Sequence, residues 1–230
     1  MTIPESPTSV AISIPVSGIV LAGDLAIPSA SRGLVVFAHG SGSSRSSPRN
    51  RHLATALQAR GLATLLLDLL TADEERIEAI DTTLHFDVDL LAERLIAATD
   101  WVIGEPVARA NAIGYFGAST GAAAALIAAA RRPEHVAAVV SRGGRPDLAG
   151  AELAAVRAPT LFIVGGLDRH VLELNRSAAA RMAAPHELHV VPNATPLFEE
   201  AGTIDQVAQL AGDWFLRHLG ARTEHATRTG

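Results

Sequence analysis

The sequence predicts an α/β fold: a mostly parallel sheet covered by helices on both faces, with an antiparallel hairpin at its N-terminal edge. Two observations carry this. Short apolar runs suited to strands buried on both faces alternate with segments of helical periodicity from Leu34 to Leu219, an order that implies right-handed crossovers. Before that stretch, two β-rich runs are separated only by Val16-Ser17-Gly18, the spacing of a hairpin with a glycine turn.

Val10–Pro15 and Ile19–Ile27 form the hairpin, and Leu34–His39 is the first buried strand. Ser47-Pro48 reads as a helix cap with proline at the first helical position, followed by Leu53, Ala56 and Leu57 at helical spacing. Gly61 ends that helix and Ala63–Leu67 is the next strand, terminating at Asp68. Polar, acidic Thr71–Thr83 is expected as a surface loop, and Phe86–Ile103 as a helix. Strands follow at 111–116, Val136–Ser141, Thr160–Val164 and Leu188–Val191, with helices at Ser119–Arg131, Glu173–Ala183 and Thr203–Leu219.

With 230 residues, 48% of them hydrophobic, the chain suits one domain, expected over 1–220, with polar 221–230 as a mobile tail. All 19 basic residues are arginines scattered without a run and the net charge is -5, which argues against a nucleic-acid partner. No apolar stretch of membrane-spanning length occurs and Met1–Val10 lacks signal-peptide character, so a cytoplasmic protein is expected. The absence of cysteine removes thiolate nucleophiles, disulfides and cysteine-ligated metals.

In such sheets ligands bind beyond the carboxyl ends of the strands, here the loops after His39, Phe116, Ser141, Val164 and Val191. One of these carries Gly117-Ala118-Ser119-Thr120-Gly121, a G-x-S-x-G pattern between a strand and an alanine-rich helix. That context turns the chain sharply and exposes the serine hydroxyl, which makes Ser119 the candidate nucleophile. The alternative is an incidental glycine turn. An acyl-transfer site also needs N–H donors where negative charge develops, and the amides of Thr120 and Ser41 are the candidates. Gly40–Ser44 also reads as a plain turn or a dinucleotide loop, the latter poorly because the third glycine is missing.

The segments His39–Arg45, Gly117–Gly121, Ser141–Asp147 and Val164–Asp168 occur in an order that resembles the α/β-hydrolase superfamily, in particular dienelactone-hydrolase-like proteins with serine at the elbow. The resemblance runs from about Gly18 to Leu219 and implies a three-layer fold needing neither metal nor cofactor. It implies that Asp168 is the acid orienting a histidine, although Asp168 also reads as a turn aspartate and Asp147 is a weaker candidate. It places that histidine just before Leu197-Phe198-Glu199-Glu200, where this chain has Pro196. Proline carries no base, and three accounts stay open. Another histidine, His170 first and His39 next, has taken the role; the site has lost hydrolysis and serves another conversion or binding; or the proline is an introduced change.

The 18 residues between Ser141 and Thr160 are too few for a helical lid, so the cleft is expected to be open and suited to a small ester or lactone. His39, Arg45, Arg142 and Arg145 fall in active-face loops, and the arginines suit a substrate carboxylate or, equally, ordinary ion pairs. Oligomeric state is not written in the chain.

Overall fold

The hairpin opens the fold as expected: β1 (Ser9–Val16) and β2 (Ile19–Ala26) pair antiparallel around Ser17 and Gly18, both at positive φ. The computed structural model describes residues 7–40, 43–78, 80–81, 83–105 and 112–220. Ser41, residue 111 and the 221–230 tail therefore lie outside the described residues. The remaining strands are β3 (Leu34–Ala38), β4 (Ala63–Leu67), β5 (Ile113–Ala118), β6 (Val136–Arg142), β7 (Thr160–Gly165) and β8 (His186–Val191). Their order is β1-β2-β4-β3-β5-β6-β7-β8; β3 to β8 run parallel and β2 is antiparallel to β4.

The helices are α1 (Pro48–Ala59), α2 (Ala72–Glu78), α3 (Val88–Gly104), α4 (Thr120–Arg131), α5 (Arg169–Ala179) and α6 (Thr203–Leu219). Strand alternation splits the core into two layers. Leu34, Val36, Tyr115 and Val139 face Leu91 and Leu95 of α3 and the alanines of α4. Val35, Phe37, Phe116 and Val140 face Leu53 and Leu57 of α1 and Val207, Trp214 and Phe215 of α6. This is the three-layer α/β-hydrolase architecture without a lid domain: between β6 and β7 lie only 3-10 turns over Pro146–Ala155, kinked at Gly150.

Helix α5 runs Arg169–Ala179 rather than Glu173–Ala183, because the Asp168 cap starts it four residues earlier, and β8 begins at His186 rather than Leu188. Two further segments differ from the sequence expectation. Thr71–Thr83 is not all loop, because Thr71 and Glu74 form a reciprocal cap that starts α2: the Glu74 amide donates to Thr71 Oγ1 at 3.3 Å and the Thr71 amide to Glu74 Oε2 at 2.8 Å. Helix α3 begins at Val88 rather than Phe86, where the Asp87 carboxylate accepts the Leu90 amide.

Glu74 also takes a bidentate pair from Arg94 at 2.5 and 2.8 Å, while Arg94 donates to the Leu69 carbonyl. The Arg94 hydrogen bonds, helped by the Thr71 amide and opposed by partial burial, hold the Glu74 carboxyl at about 2. A depressed carboxyl contributes stability above its unfolded value that disappears as pH falls through the folded one. Unfolding free energy from urea titrations is therefore expected to lose about 3 kcal/mol from this group between pH 6 and 2. Glu74→Gln should flatten the slope in that window; an unaltered slope would contradict the assignment.

Candidate active site

The tip of β5 sets the site. Ser119 has φ 53° and ψ −127°, a conformation L residues adopt only when the surroundings enforce it, and its side chain is exposed. The enforcement is visible. A Cβ at Gly117 would lie 2.5 Å from the Ala122 Cα, and one at Gly121 would lie 2.1 Å from the Ala38 carbonyl oxygen. Both positions thus need glycine for close backbone approach. The Ser119 carbonyl accepts the amides of Ala122 at 3.1 Å and Arg145 at 3.0 Å, which ties the bend to its own helix and to the loop after β6.

Gly40, at the start of the loop after β3, packs directly on the nucleophile: a Cβ there would stand 2.6 Å from Ser119 Cβ and 3.1 Å from its Oγ. The chain leading to Ser41 thus passes beside the hydroxyl, although Ser41 itself is outside the described residues. Thr120 is the first residue of α4, so its amide has no intrahelical acceptor and stands at the positive end of the helix.

Asp168 caps α5, its Oδ1 accepting the Val171 amide at 3.1 Å. Its second oxygen has no hydrogen bond with a described residue. His170 lies in the first turn of α5, exposed and without a hydrogen bond to Asp168 or Ser119. His39 is buried with both ring nitrogens facing oxygens: Nε2 is 3.2 Å from Asp68 Oδ1 and Nδ1 is 3.2 Å from the Gly40 carbonyl. Neither histidine is presented to the serine.

Pro196 is exposed in the turn Thr195–Phe198, closed by the Phe198 amide donating to the Thr195 carbonyl at 3.1 Å. It occupies the second position of that turn, where a fixed φ suits proline. The turn rests on the end of β6, since a Cβ at Gly143 would lie 3.1 Å from the Pro196 carbonyl oxygen. Arg142, the residue before Gly143, pairs in register with Ala118, the residue before the nucleophile. The proline position and the elbow therefore meet at one strand end.

The arginines separate clearly. Arg45 donates to Asp68 through its amide at 2.7 Å and Nη1 at 3.0 Å, and lies 3.6 Å from Asp24. Arg145 is bidentate on Asp147 at 2.9 and 2.8 Å, which engages both. Arg142 makes no hydrogen bond or ion pair with a described residue. Burial alone would raise the Asp68 carboxyl, but hydrogen bonds from His39 and the Arg45 amide, with their charges, leave it below the ordinary range.

Sequence reasoning missed Asp68 as the anchor of this cluster; the available signal was an aspartate closing a buried strand at the ligand-facing edge. It also missed Asn175, buried in α5 and donating to the Gly144 carbonyl at 3.0 Å and the Val171 carbonyl at 2.8 Å. Among the described residues no group of three or more His, Asp or Glu side chains is placed to hold a metal, and no helix is long and apolar enough to cross a membrane.

The family model of the dienelactone hydrolase family matches residues 21–219. The crystal structure of a dienelactone hydrolase from Anabaena variabilis is 53% identical, superposes with a TM-score of 0.91, and covers 94% of this chain and 100% of its own. Est1E from Butyrivibrio proteoclasticus has a TM-score of 0.75 at 16% identity, over 90% of this chain and 98% of its own, a likeness of fold alone. Two Mycobacterium tuberculosis proteins, provisionally named phosphoribosyl transferases, are 58% identical over 199 residues, 86% of this chain. The chain spans 44% of the length of those curated relatives.

Proposed function

Because the chain belongs to the dienelactone hydrolase family, we propose that it hydrolyses small esters or lactones through an acyl-enzyme on Ser119. The family and the α/β-hydrolase fold support a hydrolase; the serine ester chemistry is our reading. The observation that carries it is the strained, exposed Ser119 at the junction of β5 and α4.

In the reaction, Ser119 Oγ bonds to the acyl carbon and the carbonyl oxygen takes the negative charge. The Thr120 amide, at the first residue of α4, is the expected donor to that charge, with the Ser41 amide as the expected second donor. Collapse of the intermediate breaks the ester C–O bond, the departing alkoxide takes up a proton, and water later releases the acid from Ser119. Asp168, on the loop after β7 with one oxygen uncommitted among the described residues, is suited to orient an imidazole carried at position 196. With proline there, the serine proton has no side-chain base at that position and passes to solvent, so turnover is slow.

Pro196 also favours a second reading, a fold member that binds its ligand without hydrolysing it. Hydrolysis of p-nitrophenyl acetate and butyrate separates the two. The natural chain is expected to show slow turnover above background that Ser119→Ala abolishes; no turnover above background would leave the binding reading.

A further inference from the structure

The sheet ends on β8, whose only strand partner among the described residues is β7. The Pro185 carbonyl accepts the Thr160 amide at 3.0 Å and the Val191 carbonyl accepts the Gly166 amide at 2.9 Å. Residues 185, 187, 189 and 191 therefore turn their backbone groups toward β7. By the strand period of two, His186, Leu188 and Val190 turn theirs outward, and no described residue takes them up. Folded proteins usually blunt such an edge with proline, lysine or a bulge. Strand β8 carries none of these from His186 to Val191, and its register with β7 is unbroken. The opposite edge, β1, contains Pro15 and no charged side chain.

A second copy of β8 fits this edge in one register. Two such strands related by a two-fold axis perpendicular to the sheet run antiparallel, and residues that face each other share a sheet face. An axis through Leu188 sets Leu188 against itself and His186 against the partner's Val190, which joins the outward groups as the hydrogen-bonded pairs of an antiparallel ladder. In the alternate pairs, where side chains approach most closely, Glu187 then meets the partner's His189 on both sides of the axis. Both side chains are exposed, so an imidazole N–H donor faces a carboxylate acceptor twice. They lie on the α6 side of the sheet, where Arg217 Nη1 is 3.1 Å from Glu187 Oε1. An axis through residue 187 would oppose two glutamates, and one through residue 189 would oppose two histidines and leave Glu187 against Val191.

We propose that the β8 edge is the docking surface for a second copy of this chain. The product is a symmetric dimer whose sheet continues across the axis at Leu188, with its register fixed by Glu187 and His189. The inference is independent of the Ser119 chemistry. The same register sets Val191 opposite the partner's Pro185, so the base of the loop bearing Pro196 stands against the partner subunit.

Sedimentation velocity of the natural chain from about 1 to about 100 µM should show a dimer fraction that grows with concentration, as expected of a modest interface. The chain contains no cysteine, which lets the register be read by introducing one. Under copper–phenanthroline oxidation Leu188→Cys should cross-link to a dimer, because facing Cα atoms in such a pair lie about 5.5 Å apart, within disulfide reach. His186→Cys alone should stay uncross-linked, its counterpart being roughly 13 Å away, whereas a mixture of His186→Cys and Val190→Cys chains should cross-link. In an Arg217→Gln background, which removes the flanking cation, Glu187→His and His189→Glu should each weaken the dimer about tenfold, and the two together should restore most of it. Circular dichroism checks that each variant is folded; the charge exchanges alter exposed side chains only, so they keep the test open if a cysteine variant misfolds. A natural chain that stays monomeric throughout, a dimer in which His186→Cys cross-links as fast as Leu188→Cys, or a double exchange that restores nothing overturns the proposal.

Discussion

Pro196→His is expected to raise kcat/KM for p-nitrophenyl acetate by about 10² to 10⁴, the usual contribution of a positioned general base. The site is prepared for it in three respects. Ser119 is already held exposed at the strained bend; Asp168 keeps one carboxylate oxygen uncommitted among the described residues; and the turn bearing position 196 is seated on the β6 end beside the elbow. The exchange is structurally mild, because the turn is closed by the Phe198 amide rather than by the proline ring. Loss of the ring's restraint on the unfolded chain should lower stability by only about 0.4 to 1 kcal/mol. A gain produced by an imidazole base carries its own signature, an acidic limb in the pH–rate profile near the ordinary histidine value, about 6.5. Pro196→Ala should give neither the gain nor the limb. An unchanged rate in Pro196→His would mean that position 196 does not reach the serine.

Gly121→Ala is expected to be the most damaging small substitution in the fold. Its Cβ would meet the Ala38 oxygen at 2.1 Å, the Ala38 carbon at 2.7 Å and the His39 oxygen at 2.8 Å. All three are backbone atoms, so relief requires moving α4 away from β3 instead of rotating a side chain. Overpacking of this kind costs about 3 kcal/mol or more, which for a chain of this size lowers Tm by roughly 10 °C. The same shift would displace Ser119 from the bend, so in the Pro196→His background activity should fall together with stability. Gly104→Ala, where nothing lies within 4 Å of the added carbon, is the matched control and should leave Tm nearly unchanged. Equal Tm values for the two variants would show that the α4–β3 approach is looser than the geometry indicates.

The parts of the fold legible in the sequence are those fixed by local pattern. Ala63–Leu67 and Thr203–Leu219 match their elements to the residue, the one a short run buried on both faces and the other a long amphipathic stretch ending at Gly220. G-x-S-x-G was readable as a pattern between a strand and a helix; of its glycines, Gly117 answers a local demand from Gly121 and Ala122, whereas Gly121 answers the distant backbone of Ala38 and His39. Helix α2 was not, because its cap is a reciprocal Thr71–Glu74 bond locked by Arg94 from another helix, which polarity alone disguises as a loop. The site was legible to the same extent. Ser119, Thr120 and Asp168 follow from their place after strands, whereas Arg45, Arg142 and Arg145 look alike in sequence. Only tertiary pairing separates them: Asp68 reaches Arg45, Asp147 reaches Arg145, and nothing described reaches Arg142. His39 was a candidate base for the same reason, until its ring proved to be spanned between Asp68 and Gly40.

The most direct measurement is the mass of the protein quenched milliseconds after Pro196→His is mixed with p-nitrophenyl acetate, followed by peptide mapping. One acetyl group per chain, carried on Ser119 and absent from Pro196→His/Ser119→Ala, is the outcome required by a nucleophile held out on the β5–α4 bend. Turnover that proceeds with no covalent species, or an acetyl group mapped to another residue, would contradict it.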